Sequence, residues 1–434
     1  MARKNTKNPY GGSGGSGSTI PPYLKPTKYI KNNQVFFPGL EQVGPDEMRV
    51  SFIGSCPWPP RRDQAATSIM VELGNGNTFY FDLGPGSVKN AIALQKAPAQ
   101  INDIFITHLH FDHWGDIPYL YPFSASMGRW NEPLRITGPD GATPDLGTAA
   151  TMDKMKDMLQ WHLEEFEFGP IGRGYEIEVN EFDHRDENGI CYDKDGVTVR
   201  HWPRSHGKDG ASAYRLDWNG LSFVWTGDGR PDELSIKYSQ GVDVFVTETQ
   251  SDLGKLMELK MGVPDWWYNY MIDTHHTPHY AAGYMFDQIQ PRLAMVTHLE
   301  YEQDLVNEVT AGVREHWDGL FAFGAPDVVV VNVTKDAIWI RDAALPGLAG
   351  SPRPNIAEMF PGGPDTMPDE MELPQPPRPR EMQQDPYLRE IEIDPRKYLP
   401  DDVYREPITA LPAELKADLR PIKQALRERD NGSS

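Results

Sequence analysis

The sequence predicts an α/β protein built as a four-layer αββα sandwich, with a Pro-rich C-terminal extension. Two observations carry that expectation. Short apolar runs bounded by turn residues alternate with stretches of helical spacing, the arrangement that layers helices on sheets. Side chains able to bind metal or move protons also fall directly after those runs, where strands open into loops. At 434 residues the chain can bury one large core or two modest ones.

Residues 1–47 read as a flexible linker, containing GGSGGSGS, followed by a surface arm. Strands are expected at 49–54 (RVSFIG), 67–73 (TSIMVEL) and 78–82 (TFYFD), the last two joined across Gly74-Asn75-Gly76. Residues 88–95 read as a helix that leads into the buried apolar run 101–106. A helix start is expected at 116–121 and a strand at 134–136 ending in the turn Gly138-Pro139-Asp140-Gly141. One amphipathic helix is expected over 152–166. Alternation at 175–182 and 197–202 predicts half-buried strands on either side of a polar loop, 183–195. Further strands follow at 213–216, 221–226, 242–247 and 292–297, with a helix from 275 to about 289. A helix at 303–317 and strands at 327–333 and 339–340 close a domain spanning 48–342. The remainder, 343–434, is a Pro-rich acidic arm with aromatic anchors at Phe360, Tyr387, Tyr398 and Tyr404 and a helix over 413–429. Trp266-Trp267-Tyr268-Asn269-Tyr270-Met271 is unusually aromatic; core or dimer packing is the first reading, and a pocket wall for an aromatic substrate group the second.

The densest chemistry follows the run 101–106. His108, His110, Asp112 and His113 fall within six positions, and neutral imidazole and carboxylate suit zinc and its first-row neighbours. Alternate residues of an extended segment point the same way, so His108 and His110 can share one ion. A turn into helix would then aim Asp112 and His113 at a second position. This HLHFDH stretch resembles the HxHxDH signature of the metallo-β-lactamase superfamily, and His110 resembles its hydrolases rather than its redox-active di-iron branch. The resemblance continues through the ribonuclease Z and arylsulfatase-like branch. Ser205-His206-Gly207 looks like the motif supplying a third imidazole. Thr226-Gly227-Asp228-Gly229-Arg230-Pro231 looks like the one whose Asp228 bridges two metals, and Thr297-His298-Leu299-Glu300 like the one supplying His298. The resemblance therefore implies His108, His110, Asp112, His113, His206, Asp228 and His298 as metal ligands, with Asp82 steadying the ligand loop. It also implies His276 as a general acid partnered by Glu248, with Asp112 counted beside them among the catalytic residues; His279 is a competitor for His276. His162 reads as a packing or surface histidine, and His184 and His201 are competitors for the place of His206.

Such a set implies two divalent cations, zinc first, with Mn2+ or Fe2+ as alternatives, and a hydroxide nucleophile made at them. The expected reaction is hydrolysis of a small-molecule phosphodiester or sulfate ester. Alternatives are cleavage of a lactone, amide or carboxyl ester, tRNA 3′ processing, a mono-iron oxygenase on the same fold, and a silent scaffold. Lys and Arg total 42 against 63 Asp and Glu, a net charge of −21, and no Lys/Arg-rich run forms an RNA-holding arm. The expected partner is thus a small ester, with nucleic acid and membrane counted out and room left for a homodimer. Two cysteines, Cys56 and Cys191, provide neither a disulfide framework nor a thiolate metal site. No apolar signal segment is visible at the start, so the cytoplasm is expected, or secretion if the N-terminus was replaced.

Overall fold

A computed structural model describes residues 35–58, 60–130, 132–166, 171–251, 258–259, 262, 264–345, 365–372 and 416–431. The GGSGGSGS linker and the anchors Phe360, Tyr387, Tyr398 and Tyr404 lie outside these residues. In chain order the strands are β1 (Val35–Phe36), β2 (Met48–Gly54), β3 (Ser68–Leu73), β4 (Thr78–Phe81), β5 (Asp103–Phe105), β6 (Leu134–Pro139) and β7 (Ile177–Phe182). Then come β8 (Gly189–Lys194), β9 (Val197–Pro203), β10 (Ser212–Trp218), β11 (Leu221–Trp225), β12 (Val244–Glu248), β13 (Leu293–Thr297) and β14 (Phe321–Phe323). The chain returns with β15 (Val329–Val333) and β16 (Ile338–Ala343). They form a nine-stranded sheet, β1-β16-β15-β2-β3-β4-β5-β6-β7, and a seven-stranded sheet, β14-β13-β12-β11-β10-β9-β8.

Side-chain alternation builds the layers. In β4, Phe79 and Phe81 face the second sheet while Tyr80 faces outward. In β11 to β13, Phe223, Trp225, Val244 and Val246 face inward while Val224, Phe245 and Ala294 face the other way. Three apolar clusters result. One lies between the sheets, where Phe81 stacks on Phe105 at 5.1 Å and meets Phe223 at 5.2 Å. The second packs helices Ser87–Ala93, Ile117–Ser126 and Thr148–Met158 on the larger sheet. The third packs helices His279–Ile289 and Gln303–Arg314 on the smaller one. Two sheets with apolar contacts on both outer faces make the αββα sandwich the sequence predicts.

Several local expectations need correction. The polar stretch 183–195 contains strand β8, because Ile190-Cys191-Tyr192 pairs with β9 and buries Cys191 at the sheet edge. The helix expected over 152–166 is two helices, Thr148–Met158 and Gln160–Phe166, since the break lets His162 pack edge-on to Phe123 at 5.0 Å. The helix expected from 275 begins at His279, after Pro278. In the tail, Lys416–Asp418 is a strand paired with Glu370–Glu372, and the helix starts at Arg420. Pro421 sits in its first turn, where a missing N–H costs nothing, and Asp418 accepts from the Arg420 amide at 3.0 Å. Trp266, Trp267 and Tyr270 are exposed on helix Asp265–His275 rather than packed in the core. Among the described residues, no helix is long and apolar enough to cross a membrane.

Asp327, just before β15, ties three segments together. Its carboxylate accepts from Ser55 Oγ at 2.7 Å, the Ala65 amide at 2.5 Å and Asn90 Nδ2 at 2.7 Å. Burial nonetheless raises its pKa to about 6, against the pull of those donors. The native state therefore holds this proton more tightly than the unfolded chain, and stability falls as pH rises between about 4 and 6. The contribution is on the order of 2–3 kcal/mol, from roughly two units of raised pKa. Asp327→Asn should melt below the wild type most at pH 4, with the gap narrowing by pH 7; a gap independent of pH in thermal melts would refute this.

Candidate metal centre

Parallel strands bring the site together. β4 to β7 run parallel, as do β11 to β14, so loops leaving β5, β11, β12 and β13 share one end of the sandwich. The sheets are sewn to each other there. The Ser212 amide donates to Thr107 O at 2.9 Å, Tyr214 Oη to Ile106 O at 2.7 Å, and Trp225 Nε1 to Asp82 Oδ2 at 2.8 Å.

The HLHFDH loop is extended up to His110 and helical over Phe111–Trp114. This puts His108 Nε2 3.0 Å from His110 Nδ1, and β9 delivers His206 Nε2 to the same nitrogen at 3.1 Å. One Nδ1 facing two other ring nitrogens cannot bond well with both, whereas nitrogens on one tetrahedral zinc ion lie roughly 3.4 Å apart. The helical turn carries Asp112 and His113 onward. His298 Nε2 lies 3.4 Å from Asp112 Oδ2 and 3.3 Å from Asp228 Oδ2. The same Asp228 oxygen is 3.4 Å from His113 Nε2 and 3.8 Å from His206 Nε2, so this carboxylate stands between the two groups of ligands. Gly227 at φ 59 makes that approach, since a Cβ there would meet Thr107 Cβ at 2.7 Å.

The donors suit divalent cations. Asp228 Oδ1 and His113 Nε2 are buried polar atoms without a hydrogen bond. His206 Nδ1 donates to His275 O at 2.7 Å, and His113 Nδ1 bonds Asp82 Oδ2 at 2.9 Å. Such bonds fix the tautomer and aim the free nitrogen inward. Burial drives His206 down to about 3, His108 well below its ordinary value and His110 below it, keeping all three imidazoles neutral with a lone pair to give. Burial would also lower His113, but Asp228, Asp82 and Asp112 outweigh it and hold that ring well above its usual pKa. Burial would raise Asp112 and Asp228; neighbouring imidazoles, His113 and His298 for the first and His298, His113 and His206 for the second, hold both well below the usual carboxylate range. Triads such as His108–His110–His206, His108–His113–Asp228 and Asp112–His113–His298 each present ligand atoms within 4.8 Å of one another.

Beside this cluster, His276 Nδ1 lies 3.3 Å from Glu248 Oε1, at the end of β12. The same oxygen accepts from the Thr277 amide at 2.9 Å and the Gly229 amide at 3.3 Å. Burial opposes the charged form of His276, yet Glu248 outweighs it and raises the ring to about 9. His279 faces the other way: a Cβ on Gly312 would meet its ring at 2.2 Å, which places it against helix Gln303–Arg314. His184 pairs with Asp140 at 2.6 Å, and His201 lies on Phe182 with centroids 3.7 Å apart, both away from the cluster.

Sequence reasoning did not reach several supports. Trp225 bonds Asp82 across the sheets, His275 contributes its carbonyl, and Arg230 Nη1 donates to Ile272 O at 3.0 Å and His276 O at 3.1 Å. Arg204, buried, donates to Gly229 O at 3.0 Å and so steadies the Asp228 turn. None of these has a spacing that distinguishes it from ordinary core. Asp82, which accepts from Thr107, His113 and Trp225, was legible. Asp82→Asn should weaken metal affinity by roughly ten- to a hundredfold while leaving the fold intact. Titration with a zinc indicator checks this, and an unchanged affinity would make Asp82 a purely architectural residue.

Residues 61–122 match the Metallo-beta-lactamase superfamily. The chain is 30% identical over 200 residues to ribonuclease Z of Mycobacterium avium (strain 104), a match covering 43% of this chain and 66% of that protein. It is 29% identical over 234 residues to ribonuclease BN of Proteus mirabilis (strain HI4320), covering 46% and 76%. Among solved structures, the metallo-beta-lactamase fold protein YhfI from Bacillus subtilis aligns at a TM-score of 0.48 and 15% identity, over 68% of this chain and 99% of that one. The expectation that nucleic acid is not a partner is overturned by these ribonuclease relatives. It rested on the lack of a Lys/Arg-rich run and on a net charge that counts side chains wherever they lie, whereas charges more than about 10 Å from a cleft are screened from it. From the match over the HLHFDH loop and these relatives, the chain belongs to the metallo-β-lactamase superfamily.

Proposed function

We propose that this chain hydrolyses phosphodiester bonds in RNA at a centre of two divalent cations. His108, His110 and His206 would hold one cation, Asp112, His113 and His298 the other, and Asp228 both. The observation that carries the reading is the position of Asp228, whose one carboxylate oxygen lies 3.3–3.8 Å from imidazoles of both groups. The names of the ribonuclease Z and BN relatives support RNA over the small ester expected from charge.

Bound there, two cations supply a nucleophilic water of lowered pKa and polarise a phosphoryl oxygen. The protein does the rest. Neutral His108, His110 and His206 and ionised Asp112 and Asp228 accept the cations without first losing protons. His276, held protonated by Glu248, gives its proton to the departing ribose oxygen, and Glu248 keeps the ring aimed through Nδ1. Thr277 and Gly229 share that carboxylate, so the acid and the bridging Asp228 are set by one rigid knot.

The test is incubation of zinc- or manganese-reconstituted protein with a tRNA precursor bearing a 3′ trailer, beside bis-p-nitrophenyl phosphate, p-nitrophenyl sulfate and p-nitrophenyl acetate. Cleavage of the RNA and the phosphodiester is expected. Turnover confined to the sulfate or acetate, or oxygen uptake by iron-loaded protein, would overturn the reading.

A further inference from the structure

Helix Asp265–His275 is built oddly for a structural element. Trp266, Trp267 and Tyr270 stand 64%, 47% and 54% exposed, and Ile272 is its one fully buried side chain. Tyr270 is one turn from Trp266 and three residues from Trp267, so the rings form a single patch; Trp267 and Tyr270 centroids are 6.1 Å apart and Trp266 and Trp267 5.7 Å. The far end of the helix is part of the site. His275 O receives the His206 ring N–H, and Arg230, two residues after Asp228, donates to Ile272 O and His276 O. Trp267 and His276 are nine positions apart along the helix, about 14 Å, the length of roughly four stacked nucleotides.

We propose that Trp266, Trp267 and Tyr270 form a stacking platform for unpaired bases of the RNA strand a few nucleotides from the bond being cleaved. The proposal rests on the RNA reading above. The helix carries Asp265 and Asp273 and neither Lys nor Arg, so it is suited to neutral ring faces and not to phosphates. Aromatic rings bind bases through their faces whatever the base, which suits a substrate read by shape. Because the helix ends on His206 and His276, a base held at its start steadies the groups that act at its end, and contacts remote from the bond appear in turnover.

The test uses the full chain, metal-reconstituted, with Trp267→Ala combined with Tyr270→Ala, and Trp161→Ala as an exposed tryptophan elsewhere. Expected is a fall in kcat/KM of roughly ten- to a hundredfold on a tRNA precursor with an unpaired trailer, with bis-p-nitrophenyl phosphate unchanged and Trp161→Ala silent. If the wild type cleaves the precursor and the double variant matches it, the platform is wrong and the RNA reading stands. Binding of a single-stranded RNA 12-mer to metal-chelated protein, followed by anisotropy, separates the other case. Wild type that cleaves no RNA removes the functional reading, and equal 12-mer affinity of wild type and variant removes the platform as well. A double variant that turns a dimer into a monomer with RNA kinetics intact identifies the patch as a self-association surface and also overturns the proposal.

Discussion

Asp228→Ala is expected to abolish hydrolysis and to empty the centre of at least one of its cations. One carboxylate oxygen lies 3.3–3.8 Å from imidazoles of both groups, so on the proposed reading its removal would take a ligand from each position at once. The charge balance shifts as well, because Asp228 is the foremost of the carboxylates that hold the buried His113 ring protonated. Several kcal/mol of transition-state stabilisation would go with the cations, a loss of about a thousandfold or more. Plasma mass spectrometry would give the metal content and bis-p-nitrophenyl phosphate the rate. Asp228→Asn, equal in shape and uncharged, distinguishes loss of charge from loss of volume. Full metal content in both variants would show that Asp228 is not a bridge.

The second large effect separates metal binding from proton transfer. His276→Ala should keep the metals and lower turnover on RNA by roughly a hundredfold to ten-thousandfold. A ribose oxygen leaves poorly as an alkoxide and needs the proton, whereas p-nitrophenolate leaves without one. The same variant should therefore lose little on bis-p-nitrophenyl phosphate. Glu248→Gln should follow the same pattern more mildly, since it removes the charge that keeps the ring protonated and leaves an oxygen to orient it. Equal losses on both substrates would mean that His276 positions the centre and does not donate to the leaving group.

Legibility in the sequence followed the physics of each feature. The layers were legible because buried strands write themselves as apolar runs, and because HLHFDH, TGDGRP and THLEYE sit at their ends. The structure brings the residues of those motifs to one place, although His108 and His298 are far apart in the chain. Strand β8 was hidden because Ile190-Cys191-Tyr192 is short and flanked by polar turns, so only its partner β9 makes it a strand. His276 and His279 are three residues apart, the first capping one helix and the second opening the next, and only three dimensions show that it is His276 that lies beside Glu248. Trp225 read as core, and its indole N–H on Asp82 depends on how two sheets dock. The partner expectation failed because total charge is a property of the whole surface.

The bonds that sew the two sheets lie at the same end as the ligands: Ser212 to Thr107, Tyr214 to Ile106 and Trp225 to Asp82. On the reading proposed above, an ion held by His108 and His110 from one half and His206 from the other would be a rivet through that seam. Cation binding would then add directly to the cohesion of the whole sandwich, and loss of metal would shorten the lifetime of the folded protein.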